Sequence, residues 1–218
     1  MTDTAGRLLD AVLPHVPFDG WSDAALRAAV ADCGLDPALA RALFPRGGVD
    51  LALAWHRRGD AAMVETLATR DLSALKFRER VALAVRLRLD GLDVDTVRRA
   101  SALLALPHNA PEAARAVWGT ADAIWTALGD TSTDGNWYSK RAILSGVYSA
   151  VVLYWLGDTS EGKADTWAFL DRRIEDVMRF ESAKAKVRAS PVLNPLLGWP
   201  LRLMERVKAP VGSRYQSM

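Results

Sequence analysis

The sequence has only one cysteine, Cys33, among its 218 residues. A single thiol cannot form a disulfide framework within the chain, and this fits a reducing compartment. A signal peptide, with a positively charged segment followed by an apolar run, is also not evident before the first predicted helix. The longest apolar run, residues 143–156, is interrupted by two serines and a glycine and is too short to span a bilayer. These absences predict a cytoplasmic chain that does not cross a membrane.

Familiar catalytic and metal-binding motifs are missing as well. The three histidines lack both zinc-ligand spacing and the Glu-x-x-His step of di-iron helices, and neither a G-x-S-x-G elbow nor a dinucleotide fingerprint occurs. Segment 157–163 (GDTSEGK) matches a P-loop through its lysine, but Ala164 stands where a hydroxyl would bind Mg²⁺. Asp158 as a helix cap explains this segment better. We therefore predict no catalytic residue, no metal site and no cofactor, with an enzyme of unfamiliar site as an open alternative.

Apolar residues recur at helical spacing along nearly the whole chain, while strand-like alternation is almost absent. Ser22 and Asp36 are expected N-caps, and Gly34 is expected to end the helix between them. Leu39 and Leu43 are expected to face inward on the third helix. The later predicted helices cover residues 48–69, 76–89, 93–106, 112–128, 137–156 and 161–186. The pattern predicts an all-α protein of nine or ten helices.

The short helices within residues 1–47 predict a helix-turn-helix-like unit with Gly34 at the bend. This arrangement resembles TetR-type regulators, whose larger helical bodies enclose ligand pockets. Residues 18–47 nevertheless carry three arginines against four aspartates, and Arg41 is the only cation on the second helix of the motif. Phosphate contacts supply most DNA affinity, so we predict no nucleic-acid partner. A TetR-type ligand-responsive transcriptional regulator is the alternative function.

Residues 48–187 are predicted to form a helical ligand-binding body. Two of its consecutive helices, residues 112–128 and 137–156, carry an unusual concentration of aromatic and aliphatic side chains. Ser145, Gly146 and Ser149 leave small steps where a helix or a ligand can approach closely. A filled core is the default explanation, but apolar pockets are made of the same residue types. Both interpretations stay open. The candidate lipid-binding residues are Trp118, Ile124, Trp125, Ile143, Leu144, Val147, Tyr148, Val151 and Trp155.

The segment DGNWYSKR, residues 134–141, places two large aromatic residues side by side. On a helix, Trp137 and Tyr138 point about 100° apart and cannot both face one core. At least one ring is therefore expected near the surface, where large aromatic residues act as interface anchors. The alternative is that both rings fold back under a loop.

The C-terminal segment, residues 188–218, concentrates positive charge. From residue 181 onward seven Lys and Arg residues oppose two Glu, so the remainder of the chain is net negative although the whole carries +2. A basic amphipathic helix with a tryptophan at its polar boundary is typical of helices that lie on a membrane surface. Packing on the body or on a neighbouring copy in a homodimer is the alternative. The candidate membrane-binding residues are Leu193, Leu196, Leu197, Trp199, Arg202, Leu203, Met204, Arg206, Val207 and Lys208.

Several short motifs resemble those of the Coq-nine family of ubiquinone-biosynthesis accessory proteins. They follow in order and at family spacing across the C-terminal half, whereas the N-terminal half matches mainly in helix pattern. Thr126 departs from the family, where an aromatic residue is expected after Trp125. The motifs lie at residues 105–109 (ALPHN), 122–125 (DAIW), 129–134 (GDTSTD), 136–141 (NWYSKR), 158–160 (DTS) and 166–173 (TWAFLDRR).

The resemblance implies a TetR-like fold without DNA binding, a cavity for an isoprenoid lipid or quinone precursor, and a membrane-binding C-terminal helix. It also implies a partner, the di-iron demethoxyubiquinone hydroxylase, and peripheral association with the inner membrane. A pure scaffold with a filled core is a further alternative. The implied hydroxylase-facing patch consists of Leu106, Pro107, Asn109, Asn136, Trp137, Tyr138 and Arg141.

Overall fold

The computed structural model describes residues 2–133 and 135–189, and this part of the chain is all-α, as predicted. Short 3₁₀ turns at Leu13–His15, Pro107–Asn109 and Glu161–Lys163 connect some of the helices. The described residues form ten α-helices, namely α1 Thr2–Val12, α2 Val16–Asp19, α3 Asp23–Cys33, α4 Pro37–Leu43, α5 Gly48–Ala68, α6 Phe77–Leu89, α7 Val94–Leu104, α8 Ala110–Ala127, α9 Gly135–Gly157 and α10 Ala164–Ala189. The predicted long helices are confirmed to within a few residues at each end, and the four-residue α2 was not predicted.

Local capping signals set the boundaries of the first helices as predicted. The Ser22 hydroxyl accepts hydrogen bonds from the amides of Ala24 and Ala25 at the start of α3. Gly34, with φ of +60°, ends that helix, and the Asp36 carboxylate caps α4. These contacts satisfy backbone groups that a helix end would otherwise leave unpaired. They confirm the helix-turn-helix arrangement of this region.

Contacts divide the described chain into two units. The first contains the residues up to Ala62 together with Arg88–Gly119. The second contains Met63–Leu87 and the described residues from Thr120 onward. The predicted boundary after residue 47, between a helix-turn-helix-like unit and a helical ligand-binding body, stays a prediction.

The first unit has its own hydrophobic core between α1, α3, α4 and the start of α5. Leu8, Val12 and Leu51 are fully buried in it. The expectation that Leu39 faces inward is wrong, because its side chain is 40% exposed. Ala40, the next residue and about 100° further round the helix, occupies the inward position at 2% exposure. Leu43 packs partly buried against this core.

The second unit is built on α9 and α10, which pack against each other. Val151 and Leu170 are fully buried, one on each helix. The turn between the two helices is tied by Asp158, whose carboxylate accepts hydrogen bonds from the amides and hydroxyls of Ser160 and Thr166. Asp158 therefore acts as the predicted cap of the following helix, which explains the segment that resembles a P-loop.

Candidate functional site

A cavity of about 270 Å³ lies within the second unit. Helices α6, α8, α9 and α10 all contribute to its wall, and most of the lining is aliphatic or aromatic. Such a predominantly apolar wall with a few polar groups is typical of small-molecule sites. The lining residues are Phe77, Arg78, Val81, Trp125, Asn136, Ser139, Lys140, Ile143, Leu144, Val147, Ile174, Val177 and Met178.

Four of the nine predicted lipid-binding residues line this cavity: Trp125, Ile143, Leu144 and Val147. Four others, Ile124, Tyr148, Val151 and Trp155, are buried elsewhere in the second unit, with exposures of 4% or less. Trp118 belongs to the first unit and does not line the cavity. Some of the predicted residues thus line the cavity, and others occupy ordinary core positions. The pocket interpretation describes the first group and the filled-core interpretation describes the second.

The lining residues on α6 and α10 were not predicted. Phe77 and Val81 on α6, and Ile174, Val177 and Met178 on α10, are separated by charged residues in the sequence. Their apolar spacing indicates a helix face, but it does not indicate whether the face meets protein or an open space. Only the position of α6 and α10 opposite α9 identifies them as cavity wall.

Aromatic and basic side chains form one end of the cavity. Phe77 and Trp125 stack with ring centroids 5.4 Å apart and planes inclined by 28°. The Trp125 indole N–H donates to the carbonyl oxygen of Lys140 at 3.2 Å. The Lys140 ammonium lies 5.0 Å from the Trp125 ring centroid, within cation–π range. These contacts hold a flat aromatic surface beside a positively charged donor.

A buried ion network lies directly behind this end of the cavity. Lys140 Nζ donates to Asp130 Oδ1 at 2.7 Å and to the Ser132 hydroxyl at 2.6 Å. Arg141 pairs with Asp130 through Nη1 at 3.0 Å and with Asp122 through Nε. Burial alone would raise the pKa of Asp130, but hydrogen bonds from Lys140, Ser132 and Arg141 outweigh it and lower that pKa to about 2. Asp130 is therefore ionised at neutral pH and fixes the start of α9.

Trp137 lies inside the protein rather than on its surface. Its side chain is 7% exposed, with the Arg141 guanidinium 4.0 Å from the ring centroid. The neighbouring Tyr138 ring meets it edge-on at 4.8 Å and is partly exposed. The expectation that one of the two aromatic residues reaches the surface is met by Tyr138. Trp137, a member of the patch that the resemblance implies, is buried because Arg141, itself 2% exposed, covers the indole ring.

The other predicted patch residues differ in exposure. In the first unit Leu106 is 42% exposed and Pro107 is exposed, whereas Asn109 is 5% exposed and donates its amide to the Leu103 carbonyl at 2.9 Å. In the second unit Asn136 is exposed. Asn109 and Arg141 thus make internal contacts that shape their surroundings.

The predicted membrane-binding residues, from Leu193 to Lys208, lie outside the described residues. Among the helices that are described, none has the length and apolar character needed to cross a bilayer.

Comparison with known proteins identifies the family. The COQ9 family model matches residues 110–181, which include every cavity residue except those of α6. Ubiquinone biosynthesis protein COQ9-B, mitochondrial, of Xenopus laevis is 30% identical over 203 residues, covering 88% of this chain and 69% of that protein. The chain belongs to the COQ9 family. The resemblance inferred from the sequence motifs is confirmed.

Other COQ9 relatives are longer than this chain. The bovine ubiquinone biosynthesis protein COQ9, mitochondrial, is 33% identical over 193 residues, which cover 84% of this chain and 60% of the relative. The chain thus spans about three fifths of the mammalian COQ9 proteins that it matches.

A solved structure confirms the TetR-like fold. The TetR transcriptional regulator from Nitrosomonas europaea ATCC 19718 superimposes with a TM-score of 0.63, covering 79% of this chain and 97% of the regulator. The two sequences are 19% identical, so the similarity concerns the fold alone. Near the helix-turn-helix of this COQ9 family member, Arg41 pairs with Asp23, and Arg46 pairs with Asp50 and Glu112. These carboxylates compete with phosphate for the two arginines.

Proposed function

We propose that this chain is a non-catalytic accessory protein of ubiquinone biosynthesis that binds an isoprenoid quinone precursor and presents it to the demethoxyubiquinone hydroxylase. The observation that carries the proposal is the apolar cavity, whose wall lies mainly within the segment matched by the COQ9 family model. The names of the relatives, which are ubiquinone biosynthesis proteins, supply the pathway.

The physical need for such a protein follows from the hydrophobic tail of the substrate. Each methylene that leaves water for an apolar wall contributes about 0.8 kcal/mol, so a polyprenyl chain does not cross water unaided. The cavity of about 270 Å³ is slightly smaller than the roughly 300–1,000 Å³ of sites that enclose a drug-sized ligand. It covers a ring and the first part of a tail. The rest of a long tail must be shielded elsewhere, and in this proposal the membrane surface shields it.

Lipid extraction tests the proposal. The purified protein should release a long-chain isoprenoid in near-stoichiometric amount when it is extracted with organic solvent and analysed by mass spectrometry. Val147→Phe should lower the amount retained, because the larger side chain fills the cavity. Leu153→Phe is the matched control, since Leu153 lies on the same helix and is 70% exposed. Unchanged retention by Val147→Phe would exclude this cavity as the lipid site.

The hydroxylase is proposed to contact exposed members of the predicted patch, and Leu106 and Tyr138 are the members to test. Leu106→Lys and Tyr138→Lys, made separately, should each weaken binding to the purified hydroxylase in a pull-down or titration. Trp137 is a poor choice for this test, because its replacement would disturb the Arg141 contact. Leu153→Lys provides an exposed control outside the patch. Full binding by both variants would remove Leu106 and Tyr138 from the proposal.

A further inference from the structure

We propose that the cavity holds its ligand in one orientation, with an uncharged, oxygen-bearing ring beside Asn136, Ser139 and Lys140 and the isoprenoid chain running toward Val147. This inference rests on the proposed function and deepens it by naming the head-group chemistry and the residues that select it. Three observations support the inference: the polarity of the cavity wall, the contacts of Lys140, and the balance of positive and negative charge in the ion network behind the polar end of the cavity.

The wall changes from polar to apolar along α9. Asn136, Ser139 and Lys140 line the cavity in the first two turns, and Ile143, Leu144 and Val147 line it in the turns that follow. The distance from residue 136 to residue 147 is about 16 Å along a helix that rises 1.5 Å per residue. A ligand with a polar ring and an apolar tail of two isoprene units matches this sequence of surfaces. The reverse orientation would place the ring oxygens against aliphatic groups, where they would lose hydrogen bonds.

The polar end can recognise both states of a quinone ring. Two of the three ammonium N–H groups of Lys140 donate to Asp130 and Ser132, which leaves one for an oxygen of the ligand. The Ser139 hydroxyl donates to the backbone carbonyl oxygen of Asn136 at 3.2 Å. The Ser139 hydroxyl oxygen is therefore available to accept a hydrogen bond from a ring hydroxyl of the ligand. The stacked rings of Phe77 and Trp125 add a flat surface of the same shape as the head group.

The charge balance favours a neutral head group over an anionic one. Lys140 and Arg141 are matched by Asp122 and Asp130, so the network behind the polar end has no net charge. Arg78, the remaining cation on the wall, is exposed and also lines a neighbouring groove. The other charged residues of that groove are Glu79, Glu175 and the ion pair of Arg86 with Asp171. A phosphate or carboxylate would meet a lysine that is already neutralised, whereas a carbonyl or hydroxyl needs only the hydrogen bond.

Three short probes with one tail test the orientation. 2-Geranyl-1,4-benzoquinone carries the ring oxygens, geranylbenzene lacks them, and geranyl phosphate replaces the ring with an anion. Equilibrium dialysis against the delipidated full chain should show the quinone binding about tenfold tighter than geranylbenzene, as expected for one or two net hydrogen bonds. Geranyl phosphate should bind no tighter than geranylbenzene.

Variants then assign the preference to residues. Lys140→Met removes the donor assigned to the ring oxygen and should reduce the quinone preference to about twofold or less while geranylbenzene binds as before. Val147→Thr, at the proposed tail end, should weaken both ring probes equally and preserve the preference. Tighter binding of geranyl phosphate than of geranylbenzene would overturn the recognition of a neutral head group. Equal binding of the two ring probes, or an intact preference in Lys140→Met, would overturn the proposed orientation. Binding by none of the probes would overturn the proposed function, and the inference with it.

Discussion

At the scale of single residues, the first unit is marked by a buried ion cluster. Arg88 donates through Nε to Asp60 at 2.6 Å and through Nη2 to both the ring Nδ1 and the carbonyl oxygen of His56. Asp60 and Arg88 are each 3% exposed. Breaking one partner of such a pair leaves an uncompensated buried charge, which is strongly destabilising. The i, i+4 spacing of His56 and Asp60 is visible in the sequence, but their pairing with Arg88 depends on how α5 and α6 pack.

His56 gives the cluster a defined dependence on pH. Burial is the largest influence and lowers the pKa of His56 below its usual 6.5, with Arg88 acting in the same direction and Asp60 opposing both. The unfolded chain therefore binds a proton more readily than the folded protein, and the free energy of unfolding should fall as the pH drops below about 6.5. Urea denaturation between pH 7.5 and 5 measures this loss.

His56→Asn is the matched variant for the pH series, because its amide oxygen accepts the Arg88 hydrogen bond and does not titrate. Its stability should change less between pH 7.5 and 5 than that of the unsubstituted protein. His15 and His108 are present in both proteins, so the difference isolates His56. Parallel pH profiles would show that His56 is not the group responsible.

Two helical glycines are expected to respond in opposite ways to alanine. A Cβ at Gly59 would lie 2.8 Å from the Arg88 guanidinium, which Asp60 and His56 hold in place, so Gly59→Ala should destabilise the protein by roughly 1–3 kcal/mol. A Cβ at Gly146 meets nothing within 4 Å, and Gly146→Ala should stabilise α9 by roughly 0.5–1 kcal/mol. Urea denaturation compares both, and a stabilising Gly59→Ala would contradict the tight packing of Arg88.

At the scale of elements, helix ends could be predicted because the interactions that form them are local. The side chains of Ser22, Asp36 and Asp158 accept hydrogen bonds from amides two to eight residues further along the chain, and Gly34 ends α3 with a positive φ. All four were assigned from the sequence. The inward face of the short α4 could not be assigned in the same way. Both Leu39 and Ala40 are apolar, and the choice between them depends on the helices that α4 meets.

The turn between α9 and α10 should depend on Asp158. Hydrogen bonds from Ser160 and then Thr166 lower the pKa of Asp158, so the carboxylate is ionised at neutral pH and caps α10. Asp158→Ala should lower the thermal unfolding midpoint, because the Thr166 amide loses its partner. Asp165→Ala, in the same turn, tests the general effect of removing an acidic residue from a helix start. Equal shifts in the two variants would argue against a specific cap.

At the scale of the whole molecule, one chain combines a helical body that contains an apolar cavity with a basic C-terminal segment. The body carries the cavity, and the segment after residue 188 carries the excess of positive charge. We propose that this segment attaches the protein peripherally to the inner membrane. The expected assembly is a homodimer. The two roles can be separated experimentally, because the residues proposed for each do not overlap.

Deleting residues 191–218 should strongly weaken binding to anionic liposomes. The deletion removes the predicted apolar face and four cations, which together supply apolar burial and attraction to acidic lipids. Deleting only residues 209–218 is the matched control, since it keeps every predicted membrane-binding residue. Co-sedimentation measures binding, and light scattering follows the oligomeric state. Unchanged liposome binding after the longer deletion would assign the segment to packing or dimer contacts instead.

The amino-acid sequence alone determined the helical class, most helix boundaries and the family, since periodicity, caps and short motifs depend on neighbours along the chain. It also placed Trp125, Ile143, Leu144 and Val147 among the candidates for a ligand site. Only the tertiary structure decided that α6 and α10 complete the cavity, that Arg141 covers Trp137, and that Arg88 joins His56 and Asp60. An apolar side chain has the same local signature whether it faces protein or open space, so the difference arises from helices distant in sequence that pack together.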